Sequence, residues 1–303
     1  MKKVLAMILV LSLLFTAGCG AAVTDNSTDS VIAVSFYPIY IFTANLVEGI
    51  DGLTVTCMAE QSSGCLHDYT LTAKDAKLLS DAEVFVINGA GLEGFLSDVT
   101  ETTEDLFVID SSEGIELICS HHHEDEEEHH GHNHENNSHI WLSVENAKKQ
   151  VLNIKNGLVE NYPQHEGQLE KNYENYLQRL NELSEELELT YEKARGEKII
   201  TFHGAYEYMA DESGLEIIEC IESDEGGEPS AQKLAHLCDV IPQENIRALF
   251  VEPDYNGSAA QILAAETGVK IYVLNPVTRG EDSLSAYEDI MKENIQTIIK
   301  AVS

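Results

Sequence analysis

The segment "VIAVSFYPIYIFTANLVEGIDGLTVTCM", residues 31–58, decides the fold class. It opens with the apolar run "VIAVSF", continues as an apolar helical stretch with Pro38 near its start, and closes with "LTVTCM". Proline is favoured in the first turn of a helix, because its missing N–H would have no partner there. A strand, a helix and a second strand in succession indicate a parallel β-α-β unit.

The same alternation continues on both sides of the middle of the chain. The first half adds the helix "TLTAKDAKLLSDA", capped by Thr70 or Thr72, and the strands "VFVIN" and "LFVID". The second half contains the strands "KIITF", "LEIIEC", "RALFVE" and "VKIYVLN", with helices beginning near Ala205, Ser230 and Ser258 and a last helix from about Ser283. The pattern predicts an α/β fold of two α/β lobes, each with a mainly parallel four-stranded sheet.

Residues 143–195 carry a helical pattern instead. Apolar residues recur at helical spacing, which predicts one helix ending near Tyr162 and a second of about thirty residues from Pro163 to Ala194. Because the segment separates two α/β blocks, we interpret it as a connecting spine. The predicted lobes are then residues 31–142, with a loop at 120–137, and residues 196–303, with a cleft between them.

The N-terminus "MKKVLAMILVLSLLFTAGCG" has two lysines, an apolar run and then small residues before Cys19. The run is too short for a membrane span and is typical of a secretory signal. The ending "TAGC" resembles a bacterial lipoprotein signal. We therefore expect a signal peptide at residues 1–18, a lipidated Cys19 and a tether at 19–30. The alternative is an ordinary cleaved signal with a chance cysteine.

Charge and cysteine content limit the function classes. The net charge of −35 argues against nucleic acid and anionic lipid as partners and favours cations. Besides Cys19 the chain has five cysteines, and no CxxC motif that would favour a thiolate zinc site: Cys57, Cys65, Cys119, Cys220 and Cys238. Cys57–Cys65 and Cys220–Cys238 are the nearest pairs along the chain, but spacing alone does not assign a disulfide.

Seven of the twelve histidines lie in the acidic stretch "HHHEDEEEHHGHNHE", residues 121–135. The stretch is too polar to fold without metal. We interpret it as an accessory loop that collects metal near a main site elsewhere, the alternative being a solvated loop without a role. The histidines of this accessory metal loop are His121, His122, His123, His129, His130, His132 and His134.

Three of the other histidines lie in predicted loops at strand ends or helix starts, namely His67, His139 and His203. The last two, His165 and His236, lie in predicted helices and look like ordinary exposed positions. In parallel α/β sheets ligands bind beyond the carboxyl ends of the strands, so loops from both lobes can converge there. Three neutral imidazoles suit Zn²⁺. Spacing alone is a weak argument, because a single histidine is usually a surface or core residue.

Several segments resemble the zinc-binding receptors of bacterial metal ABC importers, the substrate-binding lipoproteins of cluster A-I. They are "SGCLHDYTLTAKDAKLLSDAEVFVINGAGLE", "HIWLSVENA", "TFHGAYEYMADESGLE", "GGEPSAQKLAHL" and "VEPDYN". The resemblance extends from about residue 31 to the end and implies two α/β lobes joined by a long rigid helix. It implies that His67, His139 and His203 are metal ligands. His203 indicates zinc, since the manganese receptors of the family have glutamate there.

The family's function is then expected of this chain. It would be an extracytoplasmic, lipid-anchored monomer that binds Zn²⁺ as transported ligand and delivers it to a membrane permease, without enzymatic activity. Two positions depart from the family pattern: Ser143 and Val144 replace Asp-Pro, and Asn275 replaces an aspartate that is often the fourth ligand. The fourth position is therefore Asn275, water or a carboxylate from elsewhere.

Three alternatives remain open from the sequence. The chain can be a manganese receptor of the same family, or a zinc buffer or metallochaperone whose main site is the His-rich loop. It can also be a zinc hydrolase, because three histidines and a water form a catalytic set. No HExxH motif supports a hydrolase, but Asp68, next to His67, is a possible base.

Overall fold

The structure, a computed structural model, describes residues 29–59, 69–95, 106–119, 136–221 and 228–303, together with Val99 and Thr103. The predicted signal peptide, Cys19, His67 and the accessory metal loop lie outside the described residues. Within the described ranges, no helix combines the length and the apolar composition that crossing a membrane requires.

The first lobe is a four-stranded sheet in the order β2-β1-β3-β4, in which every pair is parallel. Its strands are β1 Ser30–Val34, β2 Leu53–Cys57, β3 Val84–Ile87 and β4 Phe107–Asp110. The helices that the structure describes in this lobe are α1 Tyr37–Val47 and α2 Ala73–Asp81. Thr72 caps α2 in a capping box with Asp75, which decides between the two predicted capping threonines.

The second lobe repeats this arrangement in the order β6-β5-β7-β8, again with parallel pairs. Its strands are β5 Lys198–Thr201, β6 Glu216–Cys220, β7 Ala248–Val251 and β8 Lys270–Val273. Its helices are α5 Glu207–Ser213, α6 Ala231–Gln243, α7 Ala259–Thr267 and α8 Ala286–Val302. The predicted fold class, two lobes with parallel four-stranded sheets, is confirmed.

Two helices connect the lobes, α3 Val144–Asn161 and α4 Glu166–Tyr191. A single 3-10 turn, Pro163–His165, separates them, so the long helix starts after Pro163 and ends before Ala194. With 26 residues, α4 is about 39 Å long. Its apolar stripe, including Leu180 and Leu183, is buried.

One buried apolar cluster joins the two sheets through this long helix. It contains Val34 of the first sheet, Leu180 of α4 and Phe250 of the second sheet. Parallel sheets need apolar side chains packed against both faces. Here one cluster of apolar side chains packs against the facing sides of both sheets.

Candidate metal centre

His139 and His203 come together at the junction of the lobes. His203 lies two residues after β5, and His139 lies directly before the 3-10 turn Ile140–Leu142 that leads into α3. Their imidazole rings meet edge to face, with centroids 4.8 Å apart and planes at 87°. His139 is buried, with 4% of its surface exposed, and the His203 side chain is 17% exposed.

This ring arrangement fits two ligands of one metal ion. A tetrahedral zinc bound to two imidazoles at about 2.0–2.1 Å places the ring centroids about 5 Å apart. The pair is also partly accessible, because 17% of the His203 side chain is exposed. Two of the three histidines predicted as ligands are therefore neighbours in the structure.

His139 is oriented by the side chain of Asn137. The Asn137 Oδ1 atom lies 2.9 Å from His139 Nδ1 and also accepts the His139 backbone N–H at 2.9 Å. Since Oδ1 can only accept, Nδ1 carries the proton and the lone pair of the ring lies on Nε2. The Trp141 ring packs against the imidazole, with centroids 5.1 Å apart.

His203 is oriented in the same way by a carboxylate. Its Nδ1 makes a short hydrogen bond with Oε1 of Glu252, which follows β7 directly. The carboxylate accepts the Nδ1 proton, so here too the lone pair lies on Nε2. Carboxylates or carbonyls behind ligand histidines fix ring orientation and raise basicity at metal sites.

The segment that carries His139 is fastened to the second lobe. The Trp141 indole N–H donates to the Pro276 carbonyl at 2.7 Å, and the Tyr287 hydroxyl donates to the Trp141 carbonyl at 2.8 Å. Trp141 is completely buried. The position of His139 therefore depends on contacts with both lobes.

Asn275, a predicted candidate for the fourth ligand, holds its own loop together. Its Oδ1 accepts the Val277 N–H at 2.9 Å, and its Nδ2 donates to the Arg279 carbonyl at 3.2 Å. Val277 has a φ of 61°, a conformation that β-branched residues rarely adopt. The Asn275 amide thus supports a tight turn that the sequence alone would not favour.

The remaining predicted site residues are placed as follows. His67 is outside the described residues; two positions later, Tyr69 donates to Asp75 at 2.9 Å and packs against Phe95. His165 is half-buried in the turn before α4, and His236 is exposed on α6. In the part of the chain that the structure describes, no group of three or more His, Cys, Asp or Glu residues is placed to hold a metal.

The structure forms no disulfide between any two of the four cysteines that it describes, Cys57, Cys119, Cys220 and Cys238. The Cys220–Cys238 pairing that the sequence left open is therefore not formed. Cys65 lies outside the described ranges.

Two residues that support the site were not predicted. Glu252 lies in the quoted motif "VEPDYN", and its position directly after a buried strand was a usable signal, since strand ends collect functional side chains. Asn137 follows the His-rich stretch and reads as part of it. Nothing in its local sequence indicates that its side chain faces His139.

The sequence matches a known protein family over most of its length. The family model described as zinc-uptake complex component A, periplasmic (ZnuA) matches residues 32–301. The high-affinity zinc uptake system protein ZnuA of Bacillus subtilis (strain 168) is 32% identical over 301 residues, which cover 94% of this chain and 93% of that protein. The zinc-binding protein AdcA of Streptococcus pyogenes serotype M1 is 29% identical over 316 residues, covering 98% of this chain.

This chain spans only 61% of the length of that AdcA protein. Among solved structures, a crystal structure of ZnuA superimposes with a TM-score of 0.77 at 28% identity, covering 90% of this chain and 99% of the other. The family model covers most of the chain, and the fold agrees over nearly the whole of the described part. The chain therefore belongs to the family of zinc-uptake complex component A, the ZnuA family.

Proposed function

We propose that the chain is an extracytoplasmic receptor that captures Zn²⁺ in the cleft between its lobes and delivers it to the permease of an ABC-type importer. The observation that carries this proposal is the His139–His203 pair, with ring centroids 4.8 Å apart. Each Nδ1 faces an oxygen acceptor, which places both lone pairs on Nε2. The names of the relatives, which refer to zinc uptake and zinc binding, support the same function.

His67 is proposed as the third ligand. In the sequence it comes between β2, which ends at Cys57, and α2, which begins at Ala73, so we expect it in one of the loops at the carboxyl end of the first sheet. Such loops are where parallel sheets bind ligands. We assign the fourth position to water, because the amide oxygen of Asn275 accepts a hydrogen bond within its own turn.

Three nitrogen ligands favour zinc over manganese, whose preferred ligands are carboxylate, carbonyl and water oxygens. The ion is cargo, so the site has to bind and release it, and no chemical step is required. We therefore propose a binding role and not an enzymatic one.

The accessory metal loop, residues 121–135, is proposed to collect zinc near the cleft. A loop that the metal itself must order binds more weakly than two imidazoles held in place beforehand, because each fixed residue costs on the order of 1–2 kcal/mol of entropy. Asn136 pairs with Cys119 in an antiparallel bridge, and Asn137 supports His139. A deletion that tests the loop must therefore end at residue 135 and leave Asn136 and Asn137 in place, although the loop predicted from the sequence extends to residue 137.

Lipidation of Cys19 is proposed to hold the receptor at the outer face of the cell membrane. Cys19→Ala should leave the protein unlipidated and released, or unprocessed. Full partitioning of this variant with the membrane fraction would contradict the anchor.

The function is tested by equilibrium competition against a chelator, with Zn²⁺ and Mn²⁺ in parallel. Wild type and the 121–135 deletion should each keep one tight zinc site, whereas His139→Ala and His203→Ala should lose it and retain only weak uptake. Loss of the tight site on deletion, with His203→Ala silent, would make the protein a histidine-loop buffer. Equal affinity for Mn²⁺ would make it a manganese receptor.

A further inference from the structure

Asn137 is a buried asparagine, 4% exposed, whose side chain connects the two lobes. Its Oδ1 faces His139, as described above. Its Nδ2 donates in the opposite direction, to the Gly204 carbonyl at 2.7 Å and to Oε2 of Glu207 at 3.0 Å. Gly204 is the residue directly after His203. A single carboxamide thus connects the backbone beside one proposed ligand to the ring of the other.

The backbone of Asn137 is held just as firmly. Its N–H donates to the Ile118 carbonyl at 2.8 Å, and its carbonyl accepts the Tyr208 hydroxyl at 2.7 Å. The same Tyr208 oxygen accepts the Ile118 N–H at 3.1 Å. Tyr208, on α5 of the second lobe, therefore contacts both chain segments that flank the accessory metal loop.

We propose that Asn137 is a positioning residue that couples the docking of the second lobe to the presentation of His139. This inference rests on the proposed zinc site and adds a control element to it. When Gly204 and Glu207 are in place, the amide is fixed and its Oδ1 holds the Nδ1–H tautomer of His139. When they move away, the amide loses two acceptors and turns, and the His139 ring loses its orienting partner.

The physical basis is that an amide is planar and has distinct ends. Its NH₂ group can only donate and its oxygen can only accept, so contact with the second lobe fixes which end faces His139. An aspartate at this position would still accept the Nδ1 proton. However, it could not donate to Gly204, and it would repel the Glu207 carboxylate.

Two substitutions separate these roles. Asn137→Ala removes both the acceptor for His139 and the link to the second lobe, whereas Asn137→Asp keeps the acceptor and removes the link. Asn172→Ala is the matched control, because Asn172 is also buried and its amide donates to two backbone carbonyls, those of Leu46 and Glu48. Both carbonyls lie at the end of α1, away from His139 and His203, so the Asn172→Ala variant reports the general effect of losing a buried amide.

Three measurements are made on each variant. Nitrogen-15 NMR of the metal-free protein at pH 8 reports the tautomer of His139, and chelator competition measures the affinity for zinc. Hydrogen exchange of the Ile118 amide, which donates to Tyr208 of the second lobe, measures how often the contact between the two lobes opens. Asn137→Ala should lose the pure Nδ1–H tautomer, bind zinc about 10–100-fold more weakly and exchange faster at Ile118. Asn137→Asp should keep the tautomer and still exchange faster. Asn172→Ala should match wild type in all three.

An unchanged tautomer and zinc affinity in Asn137→Ala would overturn the positioning role. Wild-type exchange at Ile118 in Asn137→Asp would overturn the coupling to the second lobe. Because the tautomer is read without metal, these outcomes are distinct from failure of the zinc site, which would appear as a wild-type protein without tight zinc binding.

Discussion

The Ser143 hydroxyl, at the start of the connecting helix α3, donates a short hydrogen bond to the carboxylate of Glu212 in the second lobe. The same carboxylate accepts the backbone N–H groups of Val144 at 3.3 Å and Glu145 at 3.2 Å. These are orphan donors at the start of α3, where a negative charge is favoured by the helix dipole. The second lobe therefore caps the helix that starts the connection between the lobes.

Removal of this cap should destabilise the protein. We expect Glu212→Ala to lower the free energy of unfolding by about 1–3 kcal/mol, because the part-buried Val144 N–H and the Ser143 hydroxyl lose their acceptor. Urea denaturation measures the effect. Glu266→Ala is the control, since Glu266 is exposed on α7 and should change stability by no more than about 0.5 kcal/mol. Equal stability of the two variants would show that water replaces the carboxylate without cost.

The contact with Glu212 also explains why this chain has serine at position 143, where the family pattern has aspartate. Aspartate is as good a helix cap as serine, but at this position it would face Glu212. Burial already raises the pKa of Glu212. We expect Ser143→Asp to be less stable than wild type at pH 7 and to recover part of this loss in the double variant with Glu212→Gln. A double-mutant cycle in urea measures the coupling, and strict additivity would contradict it.

The sequence predicts features that depend on neighbouring residues better than contacts between residues far apart in the chain. The strands and helices follow local periodicity, and the predicted strands differ from the observed ones by two residues or fewer at either end. Thr72 is a local signal of the same kind. The contacts of Asn137, Glu212 and Glu252 join segments far apart in the chain, and no local pattern encodes them.

The role of Asn275, the candidate for the fourth ligand position, could not be predicted from the sequence for the same reason. The resemblance located Asn275 but could not show that its amide closes a turn around Val277. That role depends on the backbone conformation of the loop, including a positive φ at a valine. Only the three-dimensional arrangement separates a ligand from a residue that shapes the ligand's surroundings.

Glu252 should influence zinc binding through His203. We expect Glu252→Ala to weaken the tight site about 10-fold or more, because the imidazole loses the acceptor that fixes its tautomer. Glu252→Gln retains a carbonyl acceptor and should lose less affinity. Chelator competition compares both with Glu244→Ala, which removes only a surface pair with Lys198. Wild-type affinity in Glu252→Ala would mean that His203 is held in place by other contacts.

Glu93 is a buried carboxyl group, 6% exposed, in the first lobe. Its two oxygens accept the backbone N–H groups of Asn88 at 2.8 Å and Gly89 at 3.0 Å. Burial raises its pKa from 4.5 to about 7, and the hydrogen bonds from the backbone oppose this shift only in part. The group is therefore protonated in the folded protein over a pH range in which the unfolded chain has released the proton.

The raised pKa of Glu93 predicts how stability changes with pH. Between about pH 4.5 and pH 7 the folded state binds more protons than the unfolded state, so the contribution of Glu93 falls as the pH rises, by about 3 kcal/mol in total. Above pH 7 this contribution no longer changes. The glutamine of Glu93→Gln cannot titrate. The free energy of unfolding of wild type minus that of the variant should therefore fall by that amount between pH 4.5 and pH 7.5. Urea denaturation with a chelator present, at several pH values, measures it without a contribution from metal binding. A difference between the two proteins that stays constant with pH would show that Glu93 titrates equally in the folded and unfolded states.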